Sequence, residues 1–237
     1  MLSLTNINQS FGALKVSDDI SLEVPEGQAL GIIGPNGAGK STLFNIITGN
    51  LQPDKGRINF LGNDVTKSPP MARTVLGMAQ SFQIPQPFEK LTVFENLLVA
   101  AAFGKKKGEA EVTEACALIL EQTELLPRSN ILTGQLSLLE RKRLELARAL
   151  ATDPKLLLLD EIAGGLTEAE CQSLIAIIRD IHAKGVTIVW IEHVLHALTS
   201  VVERLLVLDF GRVIAAGKPD KIMASKQVKE IYLGIEV

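Results

Sequence analysis

Gly34-Pro35-Asn36-Gly37-Ala38-Gly39-Lys40-Ser41-Thr42 is the stretch whose reading decides the fold. It fits the spacing G-x-x-x-x-G-K-[ST], in which glycines let backbone N–H groups wrap a phosphate and the lysine meets its charge. The flanks supply the context that such a loop needs. Ala29-Leu30-Gly31-Ile32-Ile33 before it reads as a buried strand, and Leu43-Phe44-Asn45-Ile46-Ile47 after it as the first turns of a helix. The order strand, loop, helix matters because the helix N-terminus adds free N–H groups and the positive end of a dipole.

Outward from there, residues 1–28 alternate apolar and polar and break at Gly12, Pro25 and Gly27. That pattern predicts short antiparallel strands, one of them over 19–24. Residues 57–61 form a further strand after the turn Pro53-Asp54-Lys55-Gly56, and 78–83 another that ends at Pro85. From Leu91 to about Arg148 the spacing becomes helical: Val93, Leu97, Leu98 and Ala101 share a face, and residues 112–126 repeat the period. Between them Gly104-Lys105-Lys106-Lys107-Gly108 reads as a solvated loop, with binding of anionic lipid by its three lysines the weaker reading. Strands return at 155–161 and 185–193, both nearly continuous apolar runs of the kind a parallel sheet buries on two faces, with a helix over 168–183 between them. Residues 204–209 and 213–217 flank a turn at Gly211. Strand–helix alternation on either side of a helical block predicts an α/β core with an inserted helical lobe. The expected division is one domain over 1–237, with 1–90 and 151–237 as the core and 91–150 as the lobe.

Composition narrows the class. The chain has 237 residues, 46% of them hydrophobic, and a mean hydropathy of +0.23, so a sizeable core is available. A net charge of -3 gives no electrostatic case for nucleic acid as a partner. The two cysteines, Cys116 and Cys171, lack metal spacing and read as reduced thiols of a cytosolic protein. Residues 1–5 lack a basic segment followed by an apolar one, so no signal peptide is expected. No apolar run reaches the roughly 18 residues of a membrane span, so work at a membrane would require another chain to hold this one there.

The chemistry-bearing residues follow from position. Asp160 and Glu161 end an all-leucine run, which places two carboxylates at the crevice where an α/β sheet binds ligand. Beside a phosphate loop, Asp160 is the candidate to hold Mg²⁺ through water, Ser41 to ligate it directly, and Glu161 to polarise the attacking water. His193 ends the next strand, where it either packs at the surface or contacts the terminal phosphate. Gln83, just past a strand, is a candidate to reach Mg²⁺ or water. Phe11, in the polar loop Ser10-Phe11-Gly12, is either core or a stacking face for a base. Ser137-Leu138-Leu139-Glu140 has the spacing of a capping box before a helix over 141–150, and a capped N-terminus is also an anion site.

Together these residues resemble the ATP-binding subunits of ABC transporters over nearly the whole chain. In that resemblance Phe11 is similar to the aromatic loop and 34–42 to Walker A, so Gly34, Pro35, Asn36, Gly37, Ala38, Gly39, Lys40, Ser41 and Thr42 bind ATP. Gln83 resembles the Q-loop, 136–140 the signature, 156–160 Walker B with Glu161 following, and His193 the switch histidine. The resemblance implies a P-loop NTPase (RecA-like) core with an antiparallel β subdomain and a helical signature subdomain. It implies catalysis by Glu161, His193 and Lys40, contact by Ser137 with the ATP of a second subunit in a head-to-tail pair, and Mg²⁺ held by Ser41, Gln83 and Asp160. The implied partners are integral membrane permease subunits, coupled through 84–95, a second ATP-binding subunit in a homo- or heterodimer, and, indirectly, an extracytoplasmic solute-binding protein. The implied location is cytoplasmic, peripheral on the inner face of the membrane.

Finer stretches are similar to the importers of branched-chain and other hydrophobic amino acids. They are Phe82-Gln83, residues 91–100, Arg143-Leu144-Glu145-Leu146-Ala147-Arg148, Ile191-Glu192-His193 and Ile231-Tyr232-Leu233-Gly234. Related branches carry urea or short amides. A nucleotide-binding regulatory subunit and a soluble ABC ATPase are the other classes compatible with the motifs. Three features depart from the family. The signature reads Leu136-Ser137-Leu138-Leu139-Glu140 where Leu-Ser-Gly-Gly-Gln is usual, Ile162 replaces a proline, and Thr167 replaces an aspartate or asparagine. These departures imply weaker ATP-driven dimerisation, or a partner that supplies a regular signature.

Overall fold

The computed structural model describes residues 1–105 and 108–233. Lys106, Lys107 and Gly234, which belong to two of the stretches read above, lie outside the described residues. The chain opens with a hairpin of β1 (Leu2–Phe11) and β2 (Leu14–Val24). These strands have 10 and 11 residues, longer than the short strands expected. The reason is local: Asn6 and Asp19 take left-handed backbone (φ 50° and 56°), and the pairing register shifts between Leu4 and Ile7. Such bulges interrupt the alternation without ending the strand. Phe11 is therefore the last residue of β1, paired with Leu14 across the turn, rather than part of a loop.

Next come β3 (Ala29–Ile33) and α1 (Lys40–Thr48), on either side of the phosphate-type loop as expected. They are followed by β4 (Lys55–Phe60), β5 (Asn63–Asp64), α2 (Pro70–Val75) and β6 (Met78–Ser81). The last of these stops earlier than the strand read over 78–83, so Gln83 lies in the irregular segment beyond it. Three longer helices then form the lobe: α3 (Val93–Lys105), α4 (Glu109–Gln122) and α5 (Leu138–Ala151). Gly104 and Lys105 belong to α3, not to the loop expected there. Ser137 is the N-cap of α5, so that helix starts at Leu138 and the capping box lies within its first turn, ahead of the start expected at 141. The remaining elements are β7 (Leu156–Asp160), α6 (Glu168–Ala183), β8 (Thr187–Ile191), α7 (Leu195–Thr199), β9 (Arg204–Asp209), β10 (Arg212–Gly217), α8 (Pro219–Ala224) and α9 (Lys226–Leu233). Among the described residues no helix is long and apolar enough to cross a membrane.

The strands form two sheets, an antiparallel one ordered β2-β1-β4-β5 and a six-stranded one ordered β10-β9-β3-β8-β7-β6. In the larger sheet β3 pairs in parallel with β8 and β9, and β7 with β6 and β8. Side chains of successive strand residues point to opposite faces, and the all-leucine β7 shows what that does. Leu157 and Leu159 enter an apolar cluster with α6, while Leu156 and Leu158 enter a second with α1 and the antiparallel sheet. A third cluster draws only on residues of the 93–151 region, among them Val93, Leu97, Val112, Leu120 and Leu144. Register then sets the site: Asp160 pairs with Ile191, and Ile191 with Ile32, so three parallel strands end level with one another.

One buried cation holds the helix that leaves the phosphate loop. Arg73 of α2 is 1% exposed. Its guanidinium donates to the carbonyls of Ile46 (2.8 Å) and Ile47 (2.6 Å) in the last turn of α1, and to Ser68 (3.0 Å) and Thr66 (3.1 Å). A cation at a helix C-terminus meets carbonyls that lack intrahelical partners. Replacing Arg73 by Met should lower the free energy of unfolding by about 3 kcal/mol, because buried acceptors lose a charged donor; a urea melt with an unchanged midpoint would refute this.

Candidate nucleotide site

The loop between β3 and α1 is shaped by close approach. A Cβ on Gly34 would sit 2.2 Å from the carbonyl oxygen of Leu208. Gly39, the N-cap of α1, has φ 99° and lies against β2, where a Cβ would be 2.4 Å from the carbonyl oxygen of Val16. Neither position admits a side chain, which leaves bare backbone facing the crevice. Asn36 and Gly37 form the exposed crest, Pro35 is half-buried and Ala38 is buried. Lys40 is buried, and its ammonium turns back onto the loop, donating to the carbonyls of Gly34 (2.7 Å) and Pro35 (3.0 Å). Burial pushes this lysine below its ordinary value, and the charges of Glu161 and Asp160 pull it back. Ser41 and Thr42 follow in the first turn of α1, with Ser41 exposed.

Across from the loop lies an acidic cluster. Glu161 follows β7 in left-handed backbone (φ 46°), a conformation that costs an ordinary residue about 1–3 kcal/mol and recurs at working sites. Its N–H donates to the carbonyl of Ile191 at 2.8 Å, which fixes the turn to β8. Both carboxylate oxygens are held: Gln83 Nε2 donates to Oε2 at 2.6 Å, and His193 Nε2 lies 2.7 Å from Oε1. Gln83 and His193, far apart in sequence, thus meet on one carboxylate. Asp160 is pushed up to about 6, chiefly by burial and then by the charges of Glu161 and Glu192, with Lys40 opposing.

Two participants went unread in the sequence. Glu192 is 1% exposed, and its Oε1 accepts from the N–H of Ala163 (2.7 Å) while its Oε2 accepts from that of His193 (2.8 Å). A carboxylate directly after the apolar run 187–191 was the available signal. Lys142 of α5 is 4% exposed and donates to the carbonyls of Gln83 (2.8 Å) and Glu161 (3.3 Å). In the charged stretch 140–143 nothing distinguishes it from its neighbours.

Ser137, expected to face ATP held by a second subunit, and Phe11 stand apart from the cluster of their own chain. Ser137 spends its hydroxyl on the capping box, accepting from the N–H of Glu140 at 3.3 Å, and no hydrogen bond among the described residues ties it to the 34–42 loop. Phe11 stands half-exposed on the hairpin that, further along at Val16, touches Gly39.

The donor set suits Mg²⁺ and a triphosphate. Ser41, Asp160 and the amide oxygen of Gln83 are hard oxygen donors of the kind Mg²⁺ takes while keeping several waters. Among the described residues no group of three or more His, Cys, Asp or Glu could hold a metal by itself, so phosphate oxygens and water would complete the shell. The Asp160 carboxyl is raised by burial first and by its carboxylate neighbours second. Its sign is checkable. In the folded protein Asp160 charges only near pH 6, whereas in the unfolded chain it charges near 3.8. The native state therefore binds more protons between those values, and stability falls as pH rises through that window. Without metal or nucleotide, Asp160→Asn should raise Tm by at least about 2 °C at pH 7.5, with the gain gone at pH 4; an equal effect at both pH values would contradict the assignment.

Comparison with known proteins agrees with this geometry. The sequence pattern described as "ABC transporter" matches residues 17–164. The chain is 35% identical to the probable branched-chain amino acid transport ATP-binding protein LivG of Methanocaldococcus jannaschii, over 99% of this chain and 97% of that protein. It is 33% identical to the lipopolysaccharide export system ATP-binding protein LptB of Haemophilus influenzae, over 99% and 97%. Its fold superposes on the crystal structure of the ADP conformation of an ATP-binding cassette of an ABC transporter, with TM-score 0.91, 35% identity and 99% coverage of both chains. A phosphate-type loop facing an acidic cluster, in a chain matched from end to end by such cassettes, leaves one conclusion: this chain belongs to the ABC transporter family, as one of the ATP-hydrolysing subunits that energise transport.

Proposed function

We propose that this subunit powers an importer of branched-chain or other hydrophobic amino acids, with Glu161 as the proton acceptor in ATP hydrolysis. The observation that carries the catalytic part is the grip on Glu161, one oxygen on the Gln83 amide and the other on the His193 imidazole. A carboxylate so fixed, one residue beyond Asp160 and within electrostatic reach of Lys40, supports the role of proton acceptor for water attacking the terminal phosphate. Lys40, the loop N–H groups and the α1 N-terminus neutralise the phosphates, to which residues 34–42 contribute as a unit. Ser41, Gln83 and Asp160 would hold Mg²⁺, which offsets phosphate charge when bound. His193, once turned from Glu161, contacts the terminal phosphate, and Phe11 stacks on the base. The unit is a single domain over 1–237, its lobe at 91–150 carrying the signature; the separate apolar cluster of the lobe supports that division.

The substrate class is drawn from the finer stretches and from the M. jannaschii relative. The similarly distant relative from a lipopolysaccharide export system shows that overall identity does not choose a solute. Urea or short amides are the alternative. The permease would dock at a cavity of about 260 Å³ lined by Met78, Phe82, Ala100 and Arg148. There Phe82 and Phe88 expose about half of their surface and Ile84 70% of it, and Ile84 and Phe88 lie in the 84–95 segment. ATP supply and that docking support a place in the cytoplasm on the inner membrane face, with a solute-binding protein acting from the far side and no nucleic acid involved.

The signature favours a partner of different sequence. In the head-to-tail pair that the family resemblance implies, Ser137 would meet ATP on the second subunit. Glu140 is paired with Arg128 (2.7 Å) and accepts from the N–H of Ser137 (2.9 Å), so its charge is balanced. Leu138, 44% exposed, leans on Gly165, where a Cβ would be 3.3 Å from its methyl. Leucines in place of glycines bar backbone from a partner's phosphate while Ser137 can still reach it. A nucleotide-binding regulatory subunit is the reading that would follow if hydrolysis were absent.

Glu161→Gln should cut turnover at least about 100-fold with ATP affinity kept; unchanged phosphate release in a single turnover would remove Glu161 from its role. The isolated subunit should hydrolyse ATP slowly and gain when mixed with an ATP-binding subunit of regular signature. Full activity alone would argue for a self-sufficient homodimer.

A further inference from the structure

Lys142 is a buried ammonium with no carboxylate bonded to it among the described residues. Its two bonds go to backbone carbonyls, and those belong to Gln83 and Glu161, the two residues whose side chains bond each other at 2.6 Å. Burial pushes its basicity down, and the charges of Glu192, Glu161 and Asp160 push it up. It is therefore the cation at the back of the acidic cluster, as Lys40 is the cation at its front. The carbonyl it takes from Glu161 belongs to a residue in left-handed backbone, a conformation that persists only where the surroundings hold it.

The helix that carries Lys142 makes the arrangement more than local. Along the same helix Glu145 Oε1 accepts from the N–H of Gln86 (2.9 Å), and Arg148 donates to the carbonyl of Gln86 (2.9 Å). The Arg148 guanidinium also lies 5.4 Å from the centre of the Phe88 ring. Helix α5 thus grips segment 83–88 at three points, and Ser137 caps its N-terminus. Of the three gripping side chains, Lys142 is the one that also reaches the Glu161 turn.

We propose that Lys142 is a positioning residue for ATP hydrolysis, tying the signature helix to the backbone of both Gln83 and Glu161 so that the Glu161 carboxylate is held for its work. The proposal rests on Glu161 being the proton acceptor. A shift of α5 against the core is then transmitted to Glu161 through one ammonium, and loss of that ammonium misplaces the carboxylate without touching the loop that binds phosphate.

The test uses the full chain in steady-state ATPase assays, with Lys142→Met, Lys142→Arg, Glu161→Gln and the Met/Gln double variant. In Lys142→Met, kcat should fall about tenfold or more while KM for ATP stays within about twofold. Lys142→Arg should recover most of the loss, and the double variant should be no slower than Glu161→Gln alone, as expected of residues acting as a unit. Wild-type kcat in Lys142→Met overturns the proposal. So does a parallel loss of kcat, KM and Tm that Arg does not rescue, or losses that multiply in the double variant. If Lys142→Met does not fold, Lys142→Gln is read by the same criteria. Wild-type turnover in Glu161→Gln, with Lys142 in place, would instead remove the reading of Glu161 and this proposal with it.

Discussion

Three carboxylates, Asp160, Glu161 and Glu192, converge at the carboxyl end of a parallel sheet, and their repulsion is the constraint on which the rest of the site depends. Burial makes each charge costly, and crowding makes the set costlier. The fold answers from two sides. Lys40 approaches from the phosphate loop and Lys142 from the signature helix, while Glu192 is further satisfied by the N–H groups of Ala163 and His193. Asp160 feels burial first and its neighbours' charges second, and its carboxyl is pushed up to about 6. A site with that surplus of negative charge is prepared for a cation and the phosphates it accompanies.

The same economy explains why helix α5 matters beyond its cap. One face packs into the lobe through Leu144, Ala147 and Ala151, and Leu146 and Ala149 pack into the core. Its polar residues Lys142, Glu145 and Arg148 bond the 83–88 segment instead of solvent. The helix therefore spans two apolar clusters and grips the strip of chain that borders the exposed apolar groove. In the proposed reading, a membrane partner at the groove and the Glu161 carboxylate are joined by this one element.

The signature shows how a departure can be locally consistent. Leu138 finds Gly165 to lie against, and Glu140 finds Arg128. The first turn of α5 is thus a well-formed helix start, with leucines where the family resemblance would put glycines. A capping box needs only Ser137 and Glu140, so the exchange leaves the helix intact while changing what the turn presents outward.

Much of this was legible in the chain. The loop 34–42, the leucine run before Asp160, the strand before His193 and the helical block after Leu91 follow from periodicity and spacing, which are local properties. Those features determine a phosphate loop, a parallel sheet and an inserted lobe. The long β1–β2 hairpin was misjudged because bulges at Asn6 and Asp19 break the alternation that pattern reading relies on. Tertiary structure alone decided that Gln83 and His193 would close on Glu161 and that Lys142 would stand behind it. These contacts join residues tens of positions apart, and they are set by strand register and helix packing; a side chain's type says what it can bond, but only the folded chain brings a partner within reach.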